Sequence, residues 1–356
     1  MGFFRRLFGA GQPLPGKDKT DAKSVDAKPV ESKPANAPHP EPQVSAPGAV
    51  VNTAAPEPII QDLVNAETPI AVPRPPTTDV LAPLGVTRRL DEEEITSSSP
   101  NKHLVFGINS DVGAVRTNNQ DSLYAFFSTQ VSTAGTPDFG LFVVADGMGG
   151  HLEGERASAL ATKVIAEYIL KEFYLSLVSV KEGVERPIIG DVLVGALQKA
   201  NDIVSDEIPD GGTTVTAAAI VGEWAYFAHV GDSRAYLLSR DGLDQITRDH
   251  SLVQRLIELD HITPEEAPFH PQRNVLYRAI GQNDQIEIDT ATRRLPAGSR
   301  ILLCSDGLWN QVPEDLLVTV VKNTATPQDA CDKLVAMANE RGGNDNVTVI
   351  LVQLPG

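Results

Sequence analysis

The stretch Leu141-Phe142-Val143-Val144-Ala145-Asp146-Gly147-Met148-Gly149-Gly150 decides how the rest of the chain is read. An apolar run leads straight into a carboxylate, and three of the next four residues are glycine. A short continuous apolar run bounded by turn residues is the pattern of a buried strand. An aspartate at the end of such a strand is held by a stiff element yet reaches the rim of the core. Glycine beside it removes a side chain, so that a backbone oxygen can approach a bound ion. A lone Asp-Gly is ordinarily a turn, so the weight of this one depends on whether the pattern recurs.

Aspartates flank apolar runs at four other places, and four of the five motifs carry glycine close to the carboxylate. Asp121 follows Arg116-Thr117-Asn118-Asn119-Gln120 and opens the apolar run Ser122–Phe127. Asp232 follows Ala228-His229-Val230-Gly231, and Asp306 lies between Ile301-Leu302-Leu303-Cys304-Ser305 and Gly307. Asp345 sits in Gly342-Gly343-Asn344-Asp345-Asn346, just before Val347–Val352. Converging carboxylates repel one another unless hard cations lie between them, and oxygen-rich sites that retain waters suit Mg²⁺ or Mn²⁺. Two such ions can lower the pKa of a shared water and aim it at phosphorus. Turns alone would not place Arg116 near Asp121, whereas a guanidinium there can grip a phosphate with two hydrogen bonds.

Around these motifs the chain predicts strands at Leu104–Ile108, Ser122–Phe127, Leu141–Ala145, Thr213–Val221, Ala225–Val230, Ala235–Leu238, Ile301–Leu303 and Val347–Val352, all rich in Val, Ile, Phe, Tyr and Thr. Two long helices are expected between the third and fourth strands. One carries Ala157, Ala161, Val164, Tyr168 and Phe173, the other Leu193, Leu197, Ala200 and Val204 on one face. A further helix spans Pro327–Arg341, stopped by Gly342. Strands in runs with helices grouped between them indicate an α+β fold rather than an alternating parallel sheet.

The net charge of −17 argues against nucleic acid as a partner, because a phosphate backbone is bound by neutralising it with Lys and Arg. The only cysteines, Cys304 and Cys331, imply no disulfide framework and suit a reducing cytoplasm. No secretory signal or run of about 20 apolar residues is read, so no transmembrane segment is expected. Composition changes near residue 100: sixteen of the 26 prolines lie between positions 11 and 100, and no Phe, Tyr or Trp occurs between Gly9 and Val105. Such a segment cannot bury enough apolar surface to offset its ordering entropy. Residues 1–100 are therefore expected to be a disordered Pro/Ala-rich tail and residues 101–356 the catalytic domain. Within the tail, Met1–Gly9 reads as an ordinary chain start or as a weak membrane-surface or partner-docking helix. Leu84–Ile95 reads as solvated linker, or as a helix, docking motif or phosphorylation site.

The ordered set Arg-x-x-Asn-x-Asp, Asp-Gly-Met-Gly-Gly, Gly-Thr-Thr, Val-Gly-Asp-Ser-Arg, Asp-His-Ser, Cys-Ser-Asp-Gly-Leu and Asn-Asp-Asn resembles the protein phosphatase type 2C (PPM) family, its bacterial branch above all, over about residues 103–354. The resemblance implies an α-β-β-α sandwich of two antiparallel sheets flanked by helices, with metals at one edge. It implies that Asp146 bridges two core Mn²⁺ or Mg²⁺ ions and that the Gly147 carbonyl ligates one of them. Asp306 and Asp345 would complete the first site, Asp121 would hold the second, and Asp232 with Asp306 would hold a weaker third. Arg116 would bind the substrate phosphate, and Ser251–Ile280 would form the flap beside the site.

The implied activity is hydrolysis of phosphoserine and phosphothreonine monoesters by direct attack of a metal-activated water, without a phosphoenzyme. Phosphoproteins, a Ser/Thr kinase and its substrates are the implied partners, and a cytoplasmic monomer is the default state. The alternatives are a catalytically inactive phosphatase-like scaffold and a phosphatase dedicated to one regulator. A cysteine phosphatase is disfavoured, since the residue six positions after each cysteine is Asn310 or Met337 rather than Arg. Two positions depart from the wider family. Met148 stands where eukaryotic members carry a histidine proposed as general acid, and Gln120 stands where glutamate is common. Thr213, Thr214, Ser233 and Arg234 read as scaffold and His229 as a core histidine, while Asp249 and His250 read as the start of the flap or as groups that touch the metal edge. Asn119 and Asn346 read as groups that orient the neighbouring aspartates.

Overall fold

Strand pairing around the deciding stretch sets the architecture. The computed structural model describes residues 103–130, 136–150, 152–180, 186–240 and 242–356. The readings for residues 1–100, including Met1–Gly9 and Leu84–Ile95, fall outside them. In chain order the strands are β1 (Val105–Asp111), β2 (Asp121–Ser128), β3 (Phe139–Gly149), β4 (Gly211–Thr213), β5 (Val215–Val221) and β6 (Trp224–Val230). They continue as β7 (Arg234–Ser239), β8 (Gly242–Gln245), β9 (Asp289–Arg294), β10 (Arg300–Cys304) and β11 (Val347–Gln353). The helices are α1 (Glu153–Ile169), α2 (Ile189–Glu207), α3 (Leu252–Glu258), α4 (Asp306–Trp309), α5 (Glu314–Asn323) and α6 (Pro327–Glu340), with α1 running on into a π-helical turn, Leu170–Tyr174.

One sheet has the order β1-β11-β10-β7-β8, and the other β2-β3-β5-β6-β9 with β4 on the end of β3. Every pairing is antiparallel. Successive side chains on a strand face opposite ways, and this alternation builds four layers. Leu141, Val143, Ala145, Val215, Ala217 and Ala219 pack with Ala161, Ile165, Leu193 and Leu197 of α1 and α2. Phe142, Val144, Ala218 and Ile220, their neighbours, face Ile301, Leu303, Ile350 and Val352 of the other sheet. That sheet turns Leu302, Cys304, Val349 and Leu351 to Leu317, Val321, Leu334 and Ala338 of α5 and α6. The central strands are apolar throughout because both of their faces are covered.

The expected α-β-β-α sandwich is therefore present, with differences in detail. The single strand expected at Thr213–Val221 is two, β4 and β5, broken at Thr214, whose amide donates to the Asp146 carbonyl at 2.8 Å. Strands β8 and β9 and helices α3 and α5 were not expected. Strand β9 reads Asp-Thr-Ala-Thr-Arg-Arg and is half-buried at a sheet edge, so it carries no apolar alternation. Helix α5 buries only Leu317 and Val321, and α3 buries no residue completely. Helix α6 begins as expected, with Pro327 at its first position and the Thr326 hydroxyl capping the Asp329 amide, and Gly342 follows it at φ 135°.

No described helix is long and apolar enough to cross a membrane.

Candidate metal-binding site

The five aspartates come from both sheets and meet at one edge of the sandwich. In the β2–β3 pair, Asp121 lies directly across from Asp146. Asp306 opens α4 where the chain leaves β10, Asp345 precedes β11, and Asp232 lies in the turn between β6 and β7. All five thus sit at strand ends, where the core fixes their backbones.

Glycine lets these ends close on one another. A Cβ on Gly147 would stand 2.1 Å from the Gly154 carbonyl oxygen and 2.6 Å from that of Gln120. The Gly147 amide donates to the Gln120 carbonyl at 3.1 Å, which ties the end of β3 to the start of β2. A Cβ on Gly307 would stand 2.0 Å from the Asn346 carbonyl oxygen, so the Asp306 and Asp345 segments touch backbone to backbone. Asn346 holds the β1–β2 loop at three points: its Nδ2 donates to the carbonyls of Val112 (2.8 Å) and Asn118 (2.9 Å), and its Oδ1 accepts from the Gln120 amide (2.8 Å). Asn119 Oδ1 accepts from the Asp121 amide at 3.1 Å. Both asparagines orient the aspartate segments, as the sequence suggested.

Ser305 carries a role that sequence reading missed. Its hydroxyl donates to Asp121 Oδ2 at 2.7 Å and accepts from the Thr348 amide at 2.9 Å, binding a carboxylate of one sheet to the backbone of the other. Its place beside Asp306 was the only signal available. Thr214 acts similarly below Asp146: its hydroxyl accepts from the Asp146 amide at 2.9 Å and lies 2.7 Å from Ser233 Oγ. Thr213 and Thr214 are thus scaffold, as read.

The electrostatics are lopsided. Asp121 is 8% exposed, and its Oδ1 is buried without a hydrogen-bond partner. Burial raises its pKa to about 6, with the charge of Asp345 adding to the shift and the hydroxyls of Ser305 and Thr348 opposing it. Burial, joined by the charges of Asp121, Asp306, Asp232 and Asp345, pushes Asp146 well above the usual carboxylate range. Asp306 is raised in the same way by burial and by Asp232, Asp345 and Asp121. Burial and then Asp249 push Asp232 up to about 7. Asp146 and Asp306 keep part of their surface open to solvent, as groups that receive something from a cleft must. The cation in this field is Arg116, whose Nη2 donates to Asp345 Oδ2 at 2.7 Å. That bond is the largest influence raising the Arg116 pKa; Arg116 is exposed and Asp345 half-buried.

No set of three His, Cys, Asp or Glu side chains among the described residues closes into a ready-made metal cage. Hard cations that retain several waters do not need one, since each takes only one or two carboxylates. The orphaned Asp121 oxygen, the donor set made only of oxygen and the mutual repulsion of five carboxylates all fit divalent cations of the Mg²⁺ or Mn²⁺ type. Met148 offers no proton and instead accepts a contact from Gln282 Nε2 at 3.3 Å. Cys304 is buried in β10, where burial pushes its thiol up to about 12, so it is no nucleophile.

Residues 114–341 match the family model described as protein phosphatase 2C. Protein phosphatase PhpP of Streptococcus pneumoniae serotype 2 is 35% identical over 256 residues, covering 69% of this chain and 95% of that protein. The solved structure of the Mycobacterium tuberculosis serine/threonine phosphatase PstP/Ppp aligns with a TM-score of 0.59 and 35% identity, covering 71% of this chain and 99% of that one. The catalytic domain of the serine/threonine phosphatase PstP in complex with two manganese ions aligns with a TM-score of 0.58 and 33% identity, covering 71% and 99%.

Proposed function

This chain belongs to the protein phosphatase 2C family, and we propose that it is a metal-dependent phosphatase that hydrolyses phosphoserine and phosphothreonine monoesters in proteins. The observation that carries this reading is the sheet-edge carboxylate field with its unpartnered Asp121 oxygen. Asp146, Asp306, Asp345 and the Gly147 carbonyl would hold one Mn²⁺ or Mg²⁺. Asp146 and Asp121 would hold the second, and Asp232 with Asp306 a weaker third. When bound, such cations supply Lewis acidity that draws charge off the phosphoryl oxygens and makes water a competent nucleophile near neutral pH.

The remaining roles belong to the chain itself. Arg116, exposed and resting on Asp345, can turn its guanidinium to a phosphate without leaving the site, and there it stabilises charge on the equatorial oxygens. The aspartates hold their positions through strands, glycine contacts and the Ser305, Asn119 and Asn346 bonds, so little reorganisation accompanies reaction. A bond forms from water oxygen to phosphorus while the bond from phosphorus to the Ser or Thr oxygen breaks. Met148 has no proton to give, so protonation of the leaving oxygen is left to water.

The partners are phosphorylated proteins, with a Ser/Thr kinase and its substrates as the natural counterpart. A reducing cytoplasm agrees with two buried free thiols, Cys304 and Cys331, and a monomer is the simplest state. The test is release of phosphate from a phosphothreonine peptide by the full chain with Mn²⁺, with Mg²⁺ and with excess chelator. Hydrolysis should require metal; hydrolysis undiminished by chelator, or none with either metal, would overturn the proposal.

A further inference from the structure

The Asp-His-Ser motif at Asp249–Ser251 is absent from the mechanism above, yet its histidine touches both the turn that carries Asp232 and the segment 251–280 expected to form the flap. His250 is 1% exposed. Its Nδ1 accepts from the Gly231 amide at 3.1 Å, and its own amide donates to the Gly231 carbonyl at 2.7 Å. Gly231 immediately precedes Asp232 and sits at φ 109°, where an added Cβ would stand 2.5 Å from that of Thr214. The turn therefore requires glycine, and His250 grips it from outside. Because Nδ1 accepts, the proton lies on Nε2, 3.2 Å from Asp289 Oδ2. Arg278 Nη1 donates to the other Asp289 oxygen at 3.2 Å, and Arg278 also pairs with Glu287.

The backbone repeats this arrangement. The His250 carbonyl accepts from the Tyr277 amide at 3.0 Å, the Val275 carbonyl accepts from the Leu252 amide at 2.8 Å, and Ser251 bridges Leu276. Residues 250–252 and 275–278 are thus the two legs of the segment containing α3 (Leu252–Glu258), and the His250 and Tyr277 rings lie 5.6 Å apart.

We propose that His250 is a positioning residue with two separable tasks: its Nδ1 sets the Gly231–Asp232 turn, and its Nε2, through Asp289 and Arg278, anchors the root of the flap. The first task rests on the reading of Asp232 as a cation ligand. Loss of the Nδ1 bond would leave the Gly231 amide unanswered and free the turn that carries the Asp232 carboxylate. Groups that orient ligands in this way typically change metal affinity by about 10- to 100-fold. Loss of the Nε2 bond would leave the turn in place and loosen only the root of the segment 251–280, read as the flap.

Two substitutions separate the tasks, because an asparagine Oδ1 occupies roughly the place of Nδ1 and a glutamine Nε2 roughly that of Nε2. His250→Asn should keep the Gly231 bond and His250→Gln the Asp289 bond. The full chain is titrated with Mn²⁺ alone, with free ion followed by its electron paramagnetic resonance signal, and the kinetic constants on a phosphothreonine peptide are measured at saturating Mn²⁺. His250→Gln should weaken the weakest Mn²⁺ step about tenfold with KM little changed. His250→Asn should raise KM with Mn²⁺ binding unchanged. Asp289→Ala, at a partly exposed position away from the carboxylates, should reproduce the His250→Asn result and serves if either histidine variant does not fold. Equal effects of the two histidine variants on binding and KM, or none in either, would overturn the proposal. Failure of the wild-type chain to hydrolyse the peptide would instead overturn the phosphatase reading, and the Mn²⁺ titration would still report on the turn.

Discussion

Two buried carboxylate regions lie within this domain, and they handle charge in opposite ways. At Asp249 the charge is answered from within: Arg234 Nε donates to Oδ1 at 3.0 Å and Nη2 to Oδ2 at 2.7 Å, while Gln245 adds a contact at 3.3 Å. The guanidinium itself stacks 3.7 Å from the Trp309 ring centre, a favourable setting for a desolvated cation. At the sheet edge, burial raises the pKa of Asp121, Asp146, Asp306 and Asp232, with charges of neighbouring carboxylates adding to each shift, and the nearby guanidinium, Arg116, is exposed on Asp345. A fold able to build the Arg234–Asp249 pair could have neutralised the edge in the same way. The difference marks one region as structural and the other as a place completed by cations from solution.

The largest expected effect breaks the edge at its centre. Asp146→Asn should lower turnover of a phosphothreonine peptide by about 10³-fold or more, the scale of removing a group that organises charge stabilisation. It should leave the metal-free fold as stable as wild type, because Asp146 is a source of repulsion there. Steady-state kinetics beside urea unfolding in chelator reads both halves. Near-normal turnover in the folded variant would break the comparison.

The next pair of substitutions sets the regions against each other in stability alone. Arg234→Met strands the buried Asp249 charge and should destabilise the protein by about 3–5 kcal/mol, the usual result of removing one member of a buried pair. Asp121→Asn should act with the opposite sign in the metal-free chain. Its folded pKa of about 6 exceeds the ordinary 3.8, so its stabilising contribution is present at acid pH and is lost as pH rises through 6. At pH 7.5 the ionised group opposes folding, and neutralising it should add about 1–2 kcal/mol after the weakened Ser305 bond is counted. Urea midpoints in chelator would show the signs, and destabilisation by both variants would make the two regions alike.

The central strands were legible in the sequence because they follow from burial, whereas their stacking into four layers was implied only by the family resemblance. Leu141–Ala145, Val215–Val221 and Val347–Val352 are covered on both faces, and continuous apolar runs report that directly. The five aspartates were legible because each stands at or near one end of such a run, four of them beside glycine or asparagine and Asp121 two residues after Asn119. What escaped lies where that rule is silent. Strand β9 is held by pairing to β6 rather than by an apolar face. Ser305 carries no pattern of its own, and its link between sheets needs the register that sets Asp121 opposite Asp146. His250 could be read as scaffold, but not as a group touching Gly231 and Asp289 together, since those residues lie on either side of it in the chain and meet only in the fold.

The smallest expected effect is also the sharpest test of the comparison, because it separates protons from cations at the acidic edge. In metal-free protein Asp121 and Asp232, raised to about 6 and about 7, hold protons in the folded state that the unfolded chain has released. Their stabilising contribution is complete below about pH 4 and is lost as pH rises through 6 and 7. His229 has the opposite sign. Burial, then the neighbouring His250, lowers it to about 3, so its contribution is present above about pH 6.5 and is lost as pH falls toward 3. It stays neutral, accepting from the Thr216 hydroxyl at 2.9 Å and donating to the Arg248 carbonyl at 3.0 Å. The metal-free stability curve is therefore blurred by terms that oppose each other between pH 4 and 6.5. The difference between unfolding with saturating Mn²⁺ and in chelator removes His229, which contributes equally to both, and leaves the competition between Mn²⁺ and protons for the edge carboxylates. That difference should be small at pH 5, grow through pH 6–7 and level off by pH 8. A flat difference across this range would mean that the carboxylates are already ionised without metal. The acidic edge would then be neutralised from within, as Asp249 is.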